Sequence, residues 1–588
     1  MAACREARAG DRLRPLAIGA VVVLAVLLAN VAAAGAAPLR HKITSRNTGG
    51  AAARRLCPAP RRHAASCLVM ALVPSSASAP GARTYEPAGG AAAAGPAGGL
   101  TPVDLAKAYG YVGSGGGSEQ AVAIVDAYDD PNIESDLATF DSNYGLPACT
   151  TGNGCFSKVG QTGSSAVLPA VDKRGWTVEI ALDVETVHSG CPNCRILLVE
   201  ANSEAFADLA SAVNEAVTLG ATEVSNSYGG LETEVASAER SAYDHPGVVI
   251  VAAAGDSGYH NWDRLAEVGV APGVPDAPAS LPTVVSVGGT SLKLTSTAAR
   301  KAESVWNDSG PPSGRAFKQF AATGGGCSTL FEAPAWQQGL PGWAVTGCGT
   351  HRLDNDIAAV GDPYTGFDIY SSYKYASSAT TGWVTVGGTS LSSPLIAALY
   401  GLAGGSRGAA YPAATLYAHL GQASLYDVTA GGNGYCDGVE PGPCGEPAVN
   451  EGYGDLDCLG TTQCDGAVGF DGPAGVGTPN GLGAFGAPPP PTVVSKSATK
   501  VTASSAVLNA TVNPNGVPVS GCTFEWGTTT LLGQVAPCAV FPGAGSAAVA
   551  VSASIGGLAS ATYYYFRVSA TNATAVATGK TLKLKTRA

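Results

Sequence analysis

Five short apolar segments, separated by helical patterns, constrain the fold of this chain more than any other feature of its sequence. They are 120–128, 194–201, 221–227, 247–255 and 283–289, and most of them are apolar over several consecutive positions rather than at alternate ones. Strands with this pattern are covered on both faces, as in a parallel sheet with crossover helices. We therefore predict an α/β domain over residues 101–485, with a parallel sheet flanked by helices.

A proline-rich stretch, residues 486–492, separates this domain from a segment with a different pattern. Residues 493–588 alternate apolar and polar side chains between Gly, Asn and Pro turns, which predicts antiparallel strands. The consecutive prolines favour an extended spacer. We therefore predict a C-terminal antiparallel β-sandwich, and residues 558–573 resemble the late strands of fibronectin type III domains.

Residues 1–37 are predicted to be a signal peptide, which would make the protein secreted and extracellular. Four arginines precede Leu16, and 16–37 is an uncharged run that ends in small residues. The run is also long enough to cross a bilayer, so an uncleaved membrane anchor is the alternative. Residues 38–100 lack sustained periodicity, which indicates a low-complexity leader or short propeptide that is processed or disordered.

Charge and cysteine content favour a secreted protein over a nucleic-acid binder. The 45 acidic and 34 basic residues give a formal net charge of −11, which offers little attraction for phosphate. Many of the 15 cysteines are closely spaced, and in a secreted chain such spacing indicates disulfides. Spacing leaves the connectivity open but favours Cys57–Cys67, Cys149–Cys155, Cys191–Cys194, Cys327–Cys348, Cys436–Cys444, Cys458–Cys464 and Cys522–Cys538.

The hexapeptide VGGTSL occurs twice, at 287–292 and at 386–391. The second copy continues into an apolar helical run that begins at Ser390, with Pro394 in the first turn, where a missing N–H costs little. A serine at a helix N-terminus is well placed for catalysis, because the backbone N–H groups can stabilise negative charge on a substrate oxygen. The first copy continues as a strand and turn, so we interpret Ser291 as structural and Ser390 as a candidate nucleophile.

A serine nucleophile needs a base, and none of the seven histidines lies in the His-Gly-Thr setting of a subtilisin-type base. Carboxylates are the other candidates. Glu179 and Asp183 are four residues apart in a segment with helical periodicity, so they share one face, whereas Glu185 points elsewhere. Their flanking residues are nearly all apolar. Two unused acids in such surroundings would be costly, which favours a functional pair.

A third acid, Asp256, follows the buried segment 247–255 within a Gly-Asp-Ser-Gly turn. Open α/β sheets bind ligands at the carboxyl ends of their strands, where this residue is expected to lie. Asp is also a common turn residue, so the position gains weight only in combination with the other three candidates.

Together these segments resemble the sedolisin family, the serine-carboxyl peptidases with a subtilisin-like fold. The resemblance covers residues 101–485 and includes the Glu-x-x-x-Asp helix, SNSYG, GDSG, GGGCSTLFEAPAWQ, DIAAVGDP and GGTSLSSP. It implies that Ser390 is the nucleophile, Glu179 the general base and acid, Asp183 its orienting partner and Asp256 the side chain of the oxyanion hole. Sedolisins usually carry a long folded prosegment, and the short 38–100 segment departs from that pattern.

The resemblance also implies one structural calcium ion. Its ligands would be the carboxylates of Asp427 and Asp471 and the backbone carbonyls of Val428, Ala467 and Gly469, where Ala467 replaces a family glycine. Oxygen ligands with few charges suit Ca²⁺. The alternative is a glycine-rich surface loop.

These features predict a secreted, monomeric serine-carboxyl endopeptidase or tripeptidyl-peptidase that hydrolyses protein or peptide substrates at acidic pH. Glutamate ionises well below histidine, which favours acidic activity. A subtilisin-like peptidase is one alternative; Asp126 would occupy the place of its acid, but without a His-Gly motif we interpret Asp126 as a structural or rim residue. The other is a secreted binding protein on a peptidase scaffold. An extracellular polymer or surface is a possible ligand of the C-terminal domain.

Overall fold

The computed structural model describes residues 50–75, 83–84, 95–261, 274–308, 321–374, 381–434, 461–486, 490–514, 519–543, 547–572 and 576–588. The predicted signal peptide, residues 1–37, lies outside these ranges, as do residues 487–489 of the predicted linker. Within the described ranges, no helix is both long and apolar enough to cross a membrane.

Helices alternate with strands through residues 101–485, as the sequence pattern predicts. The helices are α1 (Pro102–Ala108), α2 (Ile133–Tyr144), α3 (Trp176–Gly190), α4 (Phe206–Thr218), α5 (Ser237–Arg240), α6 (Ala335–Gln338), α7 (Thr389–Ala403) and α8 (Ala413–Tyr417). Short 3₁₀ turns occur at Glu232–Glu234, Ser241–Tyr243, Trp343–Thr346, Pro363–Thr365 and Gly483–Phe485. Local sequence explains the start of α1, where Thr101 and Asp104 form a reciprocal capping box.

The strands up to residue 479 are β1 (Gly50–Arg55), β2 (Ser66–Cys67), β3 (Met70–Ser75), β4 (Arg83–Thr84), β5 (Ala121–Ala127), β6 (Phe156–Gly160), β7 (Arg195–Ala201), β8 (Glu223–Asn226), β9 (Tyr228–Leu231), β10 (Val249–Ala253), β11 (Ser257–Tyr259), β12 (Asp276–Ala277), β13 (Val285–Leu294), β14 (Arg300–Val305), β15 (Ala322–Gly325), β16 (Cys327–Glu332), β17 (His351–Leu353), β18 (Ile357–Val360), β19 (Phe367–Ser371), β20 (Gly382–Gly387), β21 (Leu425–Tyr426) and β22 (Thr478–Pro479).

The central sheet has the strand order β14-β13-β10-β8-β5-β7-β6, with β18 also paired to β13. Its pairs are parallel except for β13 with β14. Strands β5 and β10 are buried along their whole length, in agreement with coverage on both faces. The prediction of a parallel sheet flanked by helices is therefore confirmed, and the first VGGTSL copy lies in β13, as expected.

The expectation of a disordered leader is wrong for residues 50–75. Strands β1 and β3 form an antiparallel hairpin, and β3 pairs with β20, so the hairpin extends the sheet β19-β20-β3-β1-β4. Strand β2 pairs with β9 instead. These pairings join segments that are far apart in sequence, which local periodicity does not reveal. The prediction that this segment is processed remains untested.

The described residues between 490 and 588 form two antiparallel sheets. The strands are β23 (Thr492–Thr499), β24 (Ser505–Asn513), β25 (Val519–Gly527), β26 (Gln534–Pro537), β27 (Val549–Gly556), β28 (Tyr563–Asn572), β29 (Val576–Thr578) and β30 (Leu582–Lys585). One sheet is β23-β24-β27, and the other is β26-β25-β28-β29 with β30 also on β28. Buried side chains of both sheets, including Leu508 and Phe566, share one core. The predicted antiparallel β architecture is confirmed; the specific likeness to fibronectin type III domains remains a prediction.

Several of the predicted cysteine pairs are joined by disulfide bonds. The structure contains Cys57–Cys67, Cys149–Cys155, Cys191–Cys194, Cys327–Cys348 and Cys522–Cys538. Cys464 is also disulfide-bonded, whereas Cys436, Cys444 and Cys458 lie outside the described residues.

Candidate active site

Helix α3 carries two of the predicted site residues, Glu179 and Asp183, and every residue of the helix is buried. Asp172 fixes its start, because its Oδ2 accepts hydrogen bonds from the backbone N–H groups of Gly175 at 2.6 Å and Trp176 at 2.8 Å. As predicted, Glu185 points away and accepts a hydrogen bond from the Tyr370 backbone N–H.

Ser390 is the second residue of helix α7, which packs against α3. Ser227, between β8 and β9, connects the two helices: its Oγ donates to Asp183 Oδ1 at 2.8 Å and lies 3.4 Å from the Ser390 carbonyl oxygen. The Ser390 hydroxyl donates to the Ser227 carbonyl at 3.3 Å. The structure therefore brings Ser390 and Asp183 to one buried site, with Ser227 between them.

Buried carboxyls surround this serine. Burial raises the pKa of the Glu179 carboxyl well above its usual range, and the negative charge of Asp126 raises it further, whereas the nearby Ser390 hydroxyl and the hydrogen bond from the Leu68 backbone N–H lower it. Burial likewise raises the pKa of Asp183, followed by the charges of Asp126 and Glu179. Three acids so close together cannot all be ionised, so they must share protons.

Asp126, which we interpreted as a structural or rim residue, lies in the interior and not at a rim. It lies in β5, is fully buried, and neither of its carboxylate oxygens has a hydrogen-bond partner within the described part of the chain. Its charge acts on both Glu179 and Asp183. Its sequence position after an apolar run gave no sign of this proximity, because the packing of α3 against β5 creates it.

Asp256 follows β10 and reaches the first turn of α7. Its Oδ1 accepts from the Thr389 backbone N–H at 2.8 Å and from the Thr389 hydroxyl at 2.9 Å. Burial raises the pKa of Asp256 to about 6, while the Arg55 guanidinium and the two Thr389 hydrogen bonds lower it. Thr389 was not among the residues that we singled out, although it precedes Ser390 directly.

The other hexapeptide serine lies apart from this group. Ser291 is within β13, and its hydroxyl donates to Asp362 Oδ2 at 2.7 Å. The same six residues therefore occupy two different settings, a strand and a strand-to-helix turn.

Residues from the segment 50–75, which contains β1, β2 and β3, cover the site. Strand β2 pairs antiparallel with β9, so that Ser66 lies opposite Gly229 and Cys67 opposite Tyr228. The next residue, Leu68, donates its backbone N–H to Glu179 Oε2 at 2.8 Å. Ser390, Glu179 and Asp183 are each fully buried as a result of this and the surrounding packing.

Arg55, also in the segment 50–75, contacts Asp256, the candidate side chain of the oxyanion hole. Its guanidinium donates to the Asp256 carbonyl oxygen at 2.6 Å and to the Ser257 hydroxyl at 3.0 Å. Neither Arg55 nor Leu68 carries a local sequence signal of such a role, because their partners lie 201 and 111 residues away.

The predicted calcium residues are also close to one another. Asp471 is buried, and its carboxylate accepts from the backbone N–H groups of Ala467 at 2.9 Å and Ala474 at 2.8 Å. The Gly469 N–H donates to the Asp427 carboxylate at 3.1 Å. Burial raises the pKa of Asp471 well above its usual range, and the charge of Asp427 adds to the effect. The adjacent Val428 is buried, with its carbonyl oxygen facing Gly466.

Comparisons with known proteins agree with this architecture. The subtilase family matches residues 171–454. Kumamolisin from Bacillus sp. (strain MN-32) is 32% identical over 374 residues, which cover 60% of this chain and 61% of the relative. Sedolisin from Pseudomonas sp. (strain 101) is 28% identical over 367 residues, with 58% of this chain and 57% of the relative covered. The chain thus spans about three fifths of the length of these relatives.

A solved structure of Pseudomonas sedolisin, a serine-carboxyl proteinase complexed with two molecules of pseudo-iodotyrostatin, superposes with a TM-score of 0.52. It is 26% identical, and the match covers 66% of this chain and 96% of the sedolisin chain. Residues 171–454 are therefore similar to the subtilase family, and the predicted resemblance to the sedolisins is confirmed.

Proposed function

We propose that this protein is a secreted serine-carboxyl peptidase that hydrolyses peptide bonds at acidic pH through Ser390, Glu179 and Asp183. The observation that carries the proposal is the burial of Ser390 at the start of α7 beside a cluster of carboxyls. Across the described ranges, no histidine is hydrogen-bonded to Ser390. A carboxylate is therefore the base that the geometry supports.

In the first step, Ser390 Oγ attacks the substrate carbonyl carbon and passes its proton to Glu179, in the protonation state of the acid cluster in which Glu179 is the ionised member. The negative charge on the resulting oxyanion is stabilised by Asp256 and by the N-terminus of α7. The C–N bond then breaks, the amine leaves with the proton from Glu179, and an acyl-enzyme remains on Ser390. Water hydrolyses the acyl-enzyme by the same proton transfers in reverse. Asp183 orients Glu179 and shares its proton.

The acidic working range follows from Asp256. A carboxyl group donates a hydrogen bond to an oxyanion only when it is protonated, and the pKa of Asp256 is about 6. We therefore expect activity to fall as the pH rises through about 6.

The decisive test compares the wild type with Ser390→Ala and Glu179→Gln in peptide hydrolysis at pH 3–5. Ser291→Ala is the matched control, because it removes the serine of the other VGGTSL copy. We expect both site variants to lose activity, Glu179→Gln by about 10²–10⁴-fold, and the control to keep it. Equal turnover in all four proteins contradicts the proposal. Peptide binding without turnover would favour the binding-protein alternative, and an active Glu179→Gln variant a subtilisin-like mechanism.

The products distinguish the two modes of cleavage. Digestion of a peptide library releases tripeptides from free N-termini if the protein is a tripeptidyl-peptidase, and internal fragments if it is an endopeptidase.

We further propose that the 427–428 and 467–471 segments bind one calcium ion, held by the carboxylates of Asp427 and Asp471 and the backbone carbonyls of Val428, Ala467 and Gly469. The residues fit such an ion, because the buried carboxylate of Asp471 lies beside a second acid and two oxygen ligands of this kind suit Ca²⁺. Calcium bound there would stabilise the fold and take no part in proton transfer.

We propose that the C-terminal domain binds an anionic extracellular polymer or surface. Residues 490–588 contain seven basic residues and one acidic residue, in contrast to the net negative charge of the whole chain. On β30, Lys583 and Lys585 lie over the exposed Tyr563 ring of β28. Cosedimentation with an anionic polysaccharide, compared with the Lys583→Gln/Lys585→Gln variant, tests this. Sedimentation velocity tests the expected monomer.

A further inference from the structure

A directed chain of hydrogen bonds connects Gly255, Thr389 and Asp256. The Gly255 backbone N–H donates to Thr389 Oγ1 at 3.1 Å, and that hydroxyl lies 2.9 Å from Asp256 Oδ1. The Thr389 backbone N–H also donates to Oδ1, at 2.8 Å. Two of these three bonds have fixed directions, because a backbone N–H can only donate.

These directions decide where the proton of a neutral Asp256 lies. Thr389 Oγ1 receives the Gly255 hydrogen, and within the described ranges Oδ1 is the one acceptor for its own hydrogen. Oδ1 therefore receives two hydrogens, from the Thr389 amide and hydroxyl, and has no favourable place for a third. The proton of the neutral carboxyl must reside on the other oxygen, Oδ2.

Oδ2 is placed to use that proton. It is buried and has no hydrogen-bond partner in the described part of the chain. A Cβ atom added to Gly388 would lie 2.8 Å from Oδ2, so this oxygen faces the backbone two residues before Ser390. Arg55 does not compete for it, since its bond to this residue is to the backbone carbonyl oxygen.

We propose that Thr389 is a positioning residue that directs the catalytic proton of Asp256 to Oδ2, where it is donated to the oxyanion. This inference rests on the proposed peptidase function and adds to it the residue that selects the donor atom. The contribution of Thr389 is distinct from that of Ser390, because it acts through Asp256 and does not touch the substrate carbon.

The proposal predicts a specific change in pH dependence. Thr389 donates to the charged form of Asp256 and so lowers its pKa; loss of the hydroxyl raises that pKa. The other charges that face Asp256 are Arg55 of β1, which lowers its pKa, and Asp276 of β12, which raises it; Asp256 in turn interacts with Glu179 of α3. All of these remain in a Thr389→Val variant.

The main experiment measures kcat/KM against pH for Thr389→Val and Thr389→Ser beside the wild type. Asp256 must be protonated to act, so we expect Thr389→Val to be less active than the wild type. In its pH–rate profile, the fall in kcat/KM on the alkaline side should occur about one pH unit higher; we call this fall the alkaline limb. Thr389→Ser keeps the hydroxyl and should restore the wild-type limb. A limb that stays in place or moves downward in Thr389→Val overturns the proposal.

The repeated hexapeptide supplies a matched control. Thr290 is buried in the first copy, and its hydroxyl donates to Glu303 Oε1 at 2.7 Å, but its partners differ from those of Thr389. Thr290→Val therefore removes the same group from the same local sequence. We expect the alkaline limb to stay in place, even if the melting temperature falls.

Asp256→Asn provides a second route if Thr389→Val does not fold. With Thr389 present, the amide oxygen should replace Oδ1 and the NH₂ group should replace Oδ2, so the donor persists at every pH. The alkaline fall of kcat/KM that the ionisation of Asp256 causes should then disappear. If that fall persists in Asp256→Asn, the proposal is contradicted.

A measurement that needs no turnover separates this proposal from the peptidase function. In a Ser390→Ala background, NMR titration of ¹³C-labelled aspartate should give a higher pKa for Asp256 when Thr389 is Val. An unchanged pKa overturns the role of Thr389. A raised pKa sustains that role, and if the wild type with Ser390 intact also shows no peptidase activity, only the proposed function is contradicted.

Discussion

The backbone N–H of Leu68 lies 2.8 Å from Oε2 of Glu179, within a strand-like segment that pairs with β9. Leu68 therefore occupies one oxygen of the carboxylate that we propose as the base. Arg55, from the same region, also lowers the pKa of Asp256 and so favours the ionised form that cannot donate to an oxyanion. Both contacts oppose the proposed chemistry, so we expect both to be lost when a substrate binds.

Removal of this segment is expected to activate the protein. Cutting the chain after residue 75 should raise kcat/KM on a short peptide by about tenfold or more, because the competent fraction then increases. The oxidised peptide 50–75 should inhibit the cut protein competitively. A peptide of the same composition in scrambled order is the control. Equal rates before and after cleavage would show that the contacts do not limit activity.

Asp126 is expected to control the acid limb of the pH profile. Its charge raises the pKa of both Glu179 and Asp183, so Asp126→Asn should lower those pKa values. Activity that requires an ionised Glu179 should then persist to lower pH, by about one unit. Asp130→Asn is the control, because Asp130 is also buried but is not among the charges that act on Glu179. An identical shift in both variants would point to a general effect of net charge.

Buried acids should make the fold more stable in acid than in base. Burial raises the pKa of Glu200 to about 9 and that of Asp130 to about 7, with Lys158 nearby as a cation. Between the ordinary carboxyl pKa and these values, the folded state binds more protons than the unfolded state. The free energy of unfolding therefore falls as the pH rises, by up to about 1.4 kcal/mol per pH unit for each group.

Thermal unfolding from pH 4 to pH 9 measures this dependence. We expect Glu200→Gln to flatten the decline of the melting temperature with pH, because it removes the larger of the two shifts. Glu119 is exposed, and Glu119→Gln should leave the slope as it is. A wild-type melting temperature that rises over this range would be incompatible with the buried acids described here.

Calcium is expected to stabilise the protein through Asp427 and Asp471. Chelation should lower the melting temperature, and added Ca²⁺ should restore it. At a Ca²⁺ concentration 100 times its dissociation constant, binding should add about 3 kcal/mol to the free energy of unfolding. Mg²⁺ should restore much less, since it demands a tighter octahedral shell. Asp471→Asn should remove the response to calcium. A wild type that melts at one temperature with calcium and with chelator would exclude the site.

Local sequence patterns were sufficient for the fold class and for the elements that carry the four candidate site residues. The spacing of Glu179 and Asp183 places both on one face of α3, and the strand-turn-helix pattern around Ser390 puts the serine at the start of α7. The apolar run before Asp256 is strand β10. These features depend on residues close in sequence, whose periodicity reports burial directly.

Only the tertiary structure decided which other groups contact these residues and so set their protonation and access. Leu68 reaches Glu179 across 111 residues and Arg55 reaches Asp256 across 201, through sheet pairings with no local signature. Asp126 joins the carboxyl cluster because β5 packs against α3, and Thr389 selects an oxygen of Asp256 because α7 begins beside the end of β10. The sequence determined which chemical groups are available and on which elements they lie. Which of them meet, and therefore their protonation and access, depends on long-range packing that no window of local sequence contains.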